Sequence, residues 1–223
     1  MSNLLIDTAT AKGGIIAFAV LTDFFIQNAH REARDYVVFN GANHLAERIE
    51  FGYIYDSHGI KLIAKMGVKS AVQFDDSDVE ILKKNEGSTL VHNHPSNASL
   101  SRQDLLFQNS YKLKLIRAIG SNGIEYEGAM LNGAAFQVAY PLLEKSIRAV
   151  LTKLIYDGDI NNGIAEKLHY HILNTILSNL NIITYKVTDN TGHLSDMSNK
   201  KLWRSVQQLT DKTGKEIKIW LQF

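Results

Sequence analysis

Thr89-Leu90-Val91-His92-Asn93-His94-Pro95-Ser96-Asn97-Ala98-Ser99-Leu100-Ser101-Arg102-Gln103-Asp104-Leu105-Leu106 decides the reading of this chain. The β-branched and apolar opening, Thr89 to Val91, suits a short buried strand. Residues two apart in a strand face the same way, so His92 and His94 can reach one point. Pro95 lacks a backbone donor and stops the strand. Ser101-x-x-Asp104 before Leu105-Leu106 reads as a helix start, with Ser101 as N-cap and an acid at N3. That acid lies in the first turn and can project back towards the histidine loop. Two neutral imidazoles and one carboxylate form a three-ligand set that leaves zinc a fourth position for water. A catalytic Zn2+ site on His92, His94 and Asp104 is therefore expected. Taken singly, His-x-His is commonly surface chemistry and Ser-x-x-Asp a plain capping box. Strand, ligand pair, breaker and capped helix in this order are what make the set specific.

His92-Asn93-His94-Pro95 followed by Ser101-x-x-Asp104 resembles the signature of the JAB/MPN (JAMM) zinc metalloproteases, and the His-Asn-His-Pro-Ser wording is similar to the bacterial and phage branch that includes RadC-like proteins. Many members place seven residues between the second histidine and the serine. Here Pro95 to Leu100 makes six, a shorter loop that looks like the phage-type branch. The resemblance covers roughly residues 45 to 140. It implies a mixed β-sheet flanked by helices in a JAB/MPN-like, cytidine-deaminase-like layering. It implies that both histidines and the aspartate bind zinc, that Ser101 helps hold the transition state, and that an upstream glutamate is the general base. Peptide or ubiquitin-like isopeptide substrates are implied in the same way.

The base should be a carboxylate on an element beside the histidine strand. Glu50 opens an expected strand, 50–56, and is the favoured residue. Glu47 is its rival, with Arg48 beside it and a more helical setting.

A chain of 223 residues can hold one substantial domain or a domain with a small addition. A net charge near +1 gives no push towards nucleic acid or a membrane surface. The absence of cysteine removes disulfides, thiol nucleophiles, cysteine-ligated zinc and the Cys-x-x-Cys of zinc deaminases. It fits a reducing compartment. With no convincing signal peptide or transmembrane segment a cytoplasmic location is expected, with delivery into another cell or a phage particle as the alternative.

Residues 1 to 40 read mainly as helix, capped at Thr8 or Thr10. Ile15 to Ile26 is strongly apolar but too short and interrupted for a membrane span, and no small-x-small cleavage site follows. A buried helix is expected, which could also serve as an oligomer face. Tyr36 to Phe39 reads as a short strand, and Glu50 to Asp56 and Ile60 to Met66 as a hairpin. Val68 to Phe74 is a further strand, and Asp75 to about Lys84 a helix whose acids suit its N-terminus better than they suit calcium. After the motif helix, Lys114 to Gly120 and Ile124 to Leu131 pair around Ser121-Asn122-Gly123.

A helix is expected to begin near Pro141 and run to Tyr156, with others at 164–180 and 198–209. Ile182 to Val187 and Glu216 to Leu221 read as strands. The expected division is thus a metalloprotease-like domain over residues 1–140 and a mainly helical accessory region over 141–223. Lys200, Lys201 and Arg204 read as a solvated helix face.

His169-Tyr170-His171 repeats the His-x-His letters in a helical setting, where residues two apart point about 200° apart and cannot share a metal. His30, His44, His58 and His193 lack ligand spacing and read as surface residues. An HNH nuclease spreads its three letters over tens of residues, so contiguous His92-Asn93-His94 is an accidental match.

The expected activity is zinc-dependent hydrolysis of a peptide or ubiquitin-like isopeptide bond, with no membrane and no nucleic acid involved. The rivals are a non-catalytic scaffold that kept the fold, and a RadC-like or phage-associated role in DNA metabolism or particle assembly. A full ligand set argues against the scaffold, and the small basic cluster is the sole local support for the last.

Overall fold

A computed structural model describes residues 6–190 and 200–220, with side chains described for residues 23–190, 202–212, 215 and 216. The order is α1 (Ile6–Asn43), β1 (Ile49–Tyr55), β2 (Lys61–Lys69), α2 (Asp76–Lys84), β3 (Thr89–His94), α3 (Arg102–Ser110), β4 (Leu115–Gly120), β5 (Glu125–Met130), α4 (Gly133–Tyr156), α5 (Asn162–Asn179), β6 (Ile183–Thr188) and α6 (Lys200–Trp220). The fold is α/β: one mixed six-stranded sheet, ordered β2-β1-β3-β4-β5-β6, flanked by helices and followed by a largely helical C-terminal part. β3 and β4 are parallel, and each other neighbouring pair is antiparallel.

Both faces of the sheet centre are covered, which is why β1 and β3 are buried along almost their whole length instead of alternating. On one face lies α1. Its Ala29, Ala33, Val37 and Gly41 recur every fourth residue and are all buried, a stripe of small side chains that lets the helix lie close on Phe51, Tyr53 and Val91. A Cβ at Gly41 would stand 2.6 Å from Asn93 Nδ2, so any larger residue there would push the Asn93 side chain aside. On the other face Ile54, Leu90, Ile116 and Ala118 join Leu105 of α3, Phe136, Leu143 and Ile147 of α4, Leu168 and Ile172 of α5, and Leu202 of α6 in one core. Among the described residues no helix is long and apolar enough to cross a membrane.

Several expected elements differ. Tyr36–Phe39 is not a strand but the continuation of α1, because Val37 extends the buried stripe, and Asn40 Nδ2 bonds the Tyr36 carbonyl at 2.7 Å without ending the helix. Thr8 and Thr10 lie inside that helix and do not cap it. Val68–Phe74 forms no strand of its own. Val68 belongs to β2, which reverses at Ser70 (φ 60°), with Val68 bridging to Ala71.

Pro141 does not start a helix. It sits inside α4, which begins at Gly133 with Asn132 as cap, its side chain accepting the Ala135 amide at 3.0 Å. Residues 216–220 are helical, since the Leu202–Val206 face that packs on the core carries α6 on past the expected end at 209. Leu221 lies outside the described residues. The boundary expected at 140/141 falls within α4, β6 pairs with β5 along its length, and α4, α5 and α6 share the core of α3 and the sheet.

Candidate metal centre

The local signals around β3 fold as their chemistry requires. β3 ends at His94, Asn97 takes up a positive φ of 58° in the loop, and Ser101 caps α3 in a reciprocal box. Ser101 Oγ accepts the Asp104 amide at 3.2 Å, and Asp104 Oδ2 accepts the Ser101 amide at 2.6 Å. The box fixes the Asp104 carboxylate where it faces both histidines. Its Oδ1 is 3.3 Å from His92 Nε2 and its Oδ2 is 3.5 Å from His94 Nε2.

The imidazoles converge as the strand period demands, with the two Nε2 atoms 2.8 Å apart. At that separation two ring nitrogens repel unless a proton or a cation lies between them. His94 Nδ1 donates to the Ala98 carbonyl at 2.8 Å, which turns its Nε2 towards the shared point. His92 Nδ1 is buried and has no hydrogen-bond partner among the described residues.

Glu50 reaches the same place through strand register. Gly52 of β1 lies opposite His92, so Glu50, two residues earlier, points to the histidine face. One carboxylate oxygen of Glu50 and one nitrogen from each of His92 and His94 lie within 4.8 Å of one another, and all three residues are buried. Glu47 is exposed in the turn after α1 and does not line this cavity. Gly52 also admits the segment after β2, since a Cβ there would stand 2.8 Å from Val72 Cγ1. The resulting cavity, about 460 Å³, is lined by Glu50, His92, His94, Ser101 and Asp104 with Val72, Phe74 and Phe107.

Electrostatics ties the groups together. Burial raises the pKa of Glu50, partly offset by His92 and His94, with Asp104 adding to the rise. Burial opposes charge on His94, but Asp104 and Glu50 outweigh it and hold the ring's pKa up to about 9. Burial likewise opposes charge on Asp104, and the two histidines outweigh it, leaving that carboxyl well below its usual range. A metal ion would compete with the His94 proton for the same lone pair.

Two carboxylates therefore flank the imidazole pair. A buried Glu50–His92–His94 group can hold a metal ion, and Asp104 presents an oxygen to each ring from the opposite element.

Sequence reasoning missed the role of Asn93. The backbone pairing of β1 with β3 ends at Gly52–His92. Beyond it the Asn93 side chain replaces the ladder, Oδ1 accepting the Phe51 amide at 2.5 Å and Nδ2 donating to the Ile49 carbonyl at 3.1 Å. Both neighbours of Glu50 are thus tied to the residue between the two histidines. Nothing local in the sequence signals this, because the partners are more than 40 positions apart.

The remaining histidines differ from a simple surface set. His30 lies 3.6 Å from Glu125, His44 packs on the Phe51 ring, and His58 is exposed beside Asp56. His193 lies outside the described residues. His169 and His171 diverge on α5: His171 Nδ1 meets Tyr185 Oη at 2.8 Å, while His169 lines a separate groove. The acids at the start of α2 cap it, Asp75 and Asp78 forming a box that Lys65 also joins. Arg204 is exposed, as a solvated face requires, and the side chains of Lys200 and Lys201 lie outside the described residues.

No protein-family model, no curated protein and no solved structure matches the chain.

Proposed function

We propose that this chain is a zinc-dependent peptidase or isopeptidase of JAB/MPN-like layering, hydrolysing a peptide or ubiquitin-like isopeptide bond. The observation that carries the reading is the convergence of His92 Nε2, His94 Nε2 and the Asp104 carboxylate beside a second buried carboxylate, Glu50, at one cavity. The donor set fits a divalent ion, for two imidazole nitrogens converge on one point and the capping box aims the Asp104 carboxylate at them.

His92, His94 and Asp104 would hold the ion, because Asp104 faces both rings within 3.5 Å and is fixed by its helix cap. When bound, zinc supplies a Lewis acid that acidifies water and polarises a carbonyl. Glu50, withdrawn from solvent with its carboxyl pushed up, accepts the proton of the attacking water and returns it to the leaving amine. The Ser101 hydroxyl uses a lone pair on the Asp104 amide, which leaves its own proton free to donate to the developing oxyanion. Phe74 and Phe107, stacked with ring centroids 5.0 Å apart, form an apolar wall that limits water around these groups.

Metal analysis and cleavage profiling test this together. Purified protein is expected to carry about one zinc per chain, lost in His92→Ala and in His94→Ala. Glu50→Gln is expected to keep zinc and lose about 10²–10⁴-fold in rate against peptide libraries or ubiquitin-like chains. Should Glu50→Gln lose the metal while Asp104→Asn keeps it, the two carboxylates have exchanged roles. A zinc-loaded protein that cleaves neither substrate class is the scaffold alternative.

A further inference from the structure

A second cavity, also about 460 Å³, opens between α4 and α5 and meets the metal cavity along Ser96, Ala98 and Tyr170. Leu151 and Ile155 of α4 and Ala165 of α5 give it an apolar floor, and Leu151 and Ala165 are 4% and 7% exposed. Arg148 and Glu166 stand on its rims, the former paired with Glu144 at 3.0 Å. His169 contributes a wall. It is 8% exposed, and its Nε2 is buried with no hydrogen-bond partner among the described residues.

An occupant of the groove must bring apolar bulk for its floor. The shared wall decides the source of that occupant. Ala98 lines both cavities, and its carbonyl is the acceptor that orients His94. An extended chain whose scissile bond lies over the metal centre advances about 3.3 Å per residue, so its next residues pass Ser96 and Ala98 into the groove.

We propose that the α4–α5 groove is a substrate subsite that holds a large apolar side chain of a polypeptide, close to the scissile bond. This rests on the peptidase reading of the metal centre and gives it a substrate class. It also gives residues of α4 and α5 a direct part in recognition.

Thr152 lies exposed on the groove and outside the core, so Thr152→Trp fills the groove without disturbing the fold. The probes are acetylated tetrapeptide amides with leucine, phenylalanine, glycine or aspartate varied at each position, offered to zinc-loaded parent and Thr152→Trp proteins. Binding is read from the methyl resonances of Leu151 and Ile155 in the Glu50→Gln background, and hydrolysis is read separately with Glu50 intact.

The expected result is that leucine or phenylalanine peptides shift both methyls and are cleaved at least about 10-fold faster than their glycine counterparts. Thr152→Trp removes the shift and the preference but keeps the zinc. Cleavage whose preference Thr152→Trp leaves unchanged overturns the subsite and spares the peptidase reading. Methyl shifts with no hydrolysis of these peptides or of ubiquitin-like chains overturn the peptidase reading and retain a peptide-binding groove. Absence of shifts and of hydrolysis on both substrate classes overturns the two together.

Discussion

Replacing Asn93 with alanine removes the side chain that stands in for the β1–β3 ladder where Glu50 is held. Two bonds are lost, from the Phe51 amide and to the Ile49 carbonyl. Phe51 is 3% exposed, so its amide is left unpaired at a cost of about 1–3 kcal/mol, and the half-buried Ile49 carbonyl adds about 1 kcal/mol. The Gly41 turn of α1, which rests on Asn93, loses contact as well. A total near 3 kcal/mol corresponds to a fall in melting temperature of roughly 6–12 °C for a chain of this size.

Activity is expected to fall further than stability alone accounts for. Both residues flanking Glu50 come free, and a misplacement of about 1 Å at a catalytic group costs about 100-fold in rate. Zinc content should be retained, because His92, His94 and Asp104 are untouched. Asn93→Asp separates the two bonds: it keeps an acceptor for Phe51 but sets a carboxylate oxygen against the Ile49 carbonyl. The measurements are calorimetric melting, zinc per chain and kcat, taken on the same samples below the melting range. An Asn93→Ala protein that melts within about 2 °C of the parent and keeps its kcat refutes the claim that this side chain positions Glu50.

Three other outcomes follow from the packing and charge of the chain. His30 leads Arg34 in holding the Glu125 carboxyl down at about 2 against an ordinary 4.5, so its folded pKa lies below its unfolded one. That contribution is complete above pH 4.5 and fades as pH falls towards 2; Glu125→Gln should therefore lose less melting temperature than the parent across that window, and equal slopes would show that the pairing adds nothing. Tyr185 Oη links Ser99 Oγ at 2.7 Å to His171 Nδ1 at 2.8 Å, so Tyr185→Phe should cost about 1–3 kcal/mol by chemical denaturation; an unchanged midpoint would show that this link does not hold the loop before Ser101. A chain ending at Tyr140 cuts α4 within its length and strips Leu143, Ile147, Leu168 and Ile172 from the core, so it should aggregate and bind a dye for exposed apolar surface; a soluble, cooperatively melting product would show that the sheet folds without them.

What could be read from the sequence was what short-range chemistry determines. The pairing of His92 with His94 follows from the strand period, and the aim of Asp104 from a cap four residues long. The hairpin at Ser121-Asn122-Gly123 and the box at Asp75–Asp78 are equally local. The errors lie where distant packing overrides local preference. Tyr36–Phe39 carries β-formers, yet the Ala29–Ala33–Val37–Gly41 stripe keeps it helical against the sheet. Glu216 to Trp220 alternates like a strand, yet it prolongs a helix anchored further back by Leu202 and Val206.

Pro141 misled for a related reason. A proline is most easily read as a boundary, but a helix can continue through it when its other side chains are held by packing, and Phe136, Tyr140, Leu143 and Ile147 are each at most 2% exposed. The consequence reaches the site. Because α4 runs unbroken from beside the sheet to Tyr156, and α5 returns along it, the region that looked like an appendage supplies Arg148, Leu151 and His169 to a groove that meets the metal cavity. Asn174 of α5 also donates to Ser99 Oγ and to the Leu100 carbonyl, immediately before Ser101. The loop between the second histidine and the capped helix is therefore shaped from the C-terminal side. Changes in α5 should alter recognition at the centre without removing any of its ligands.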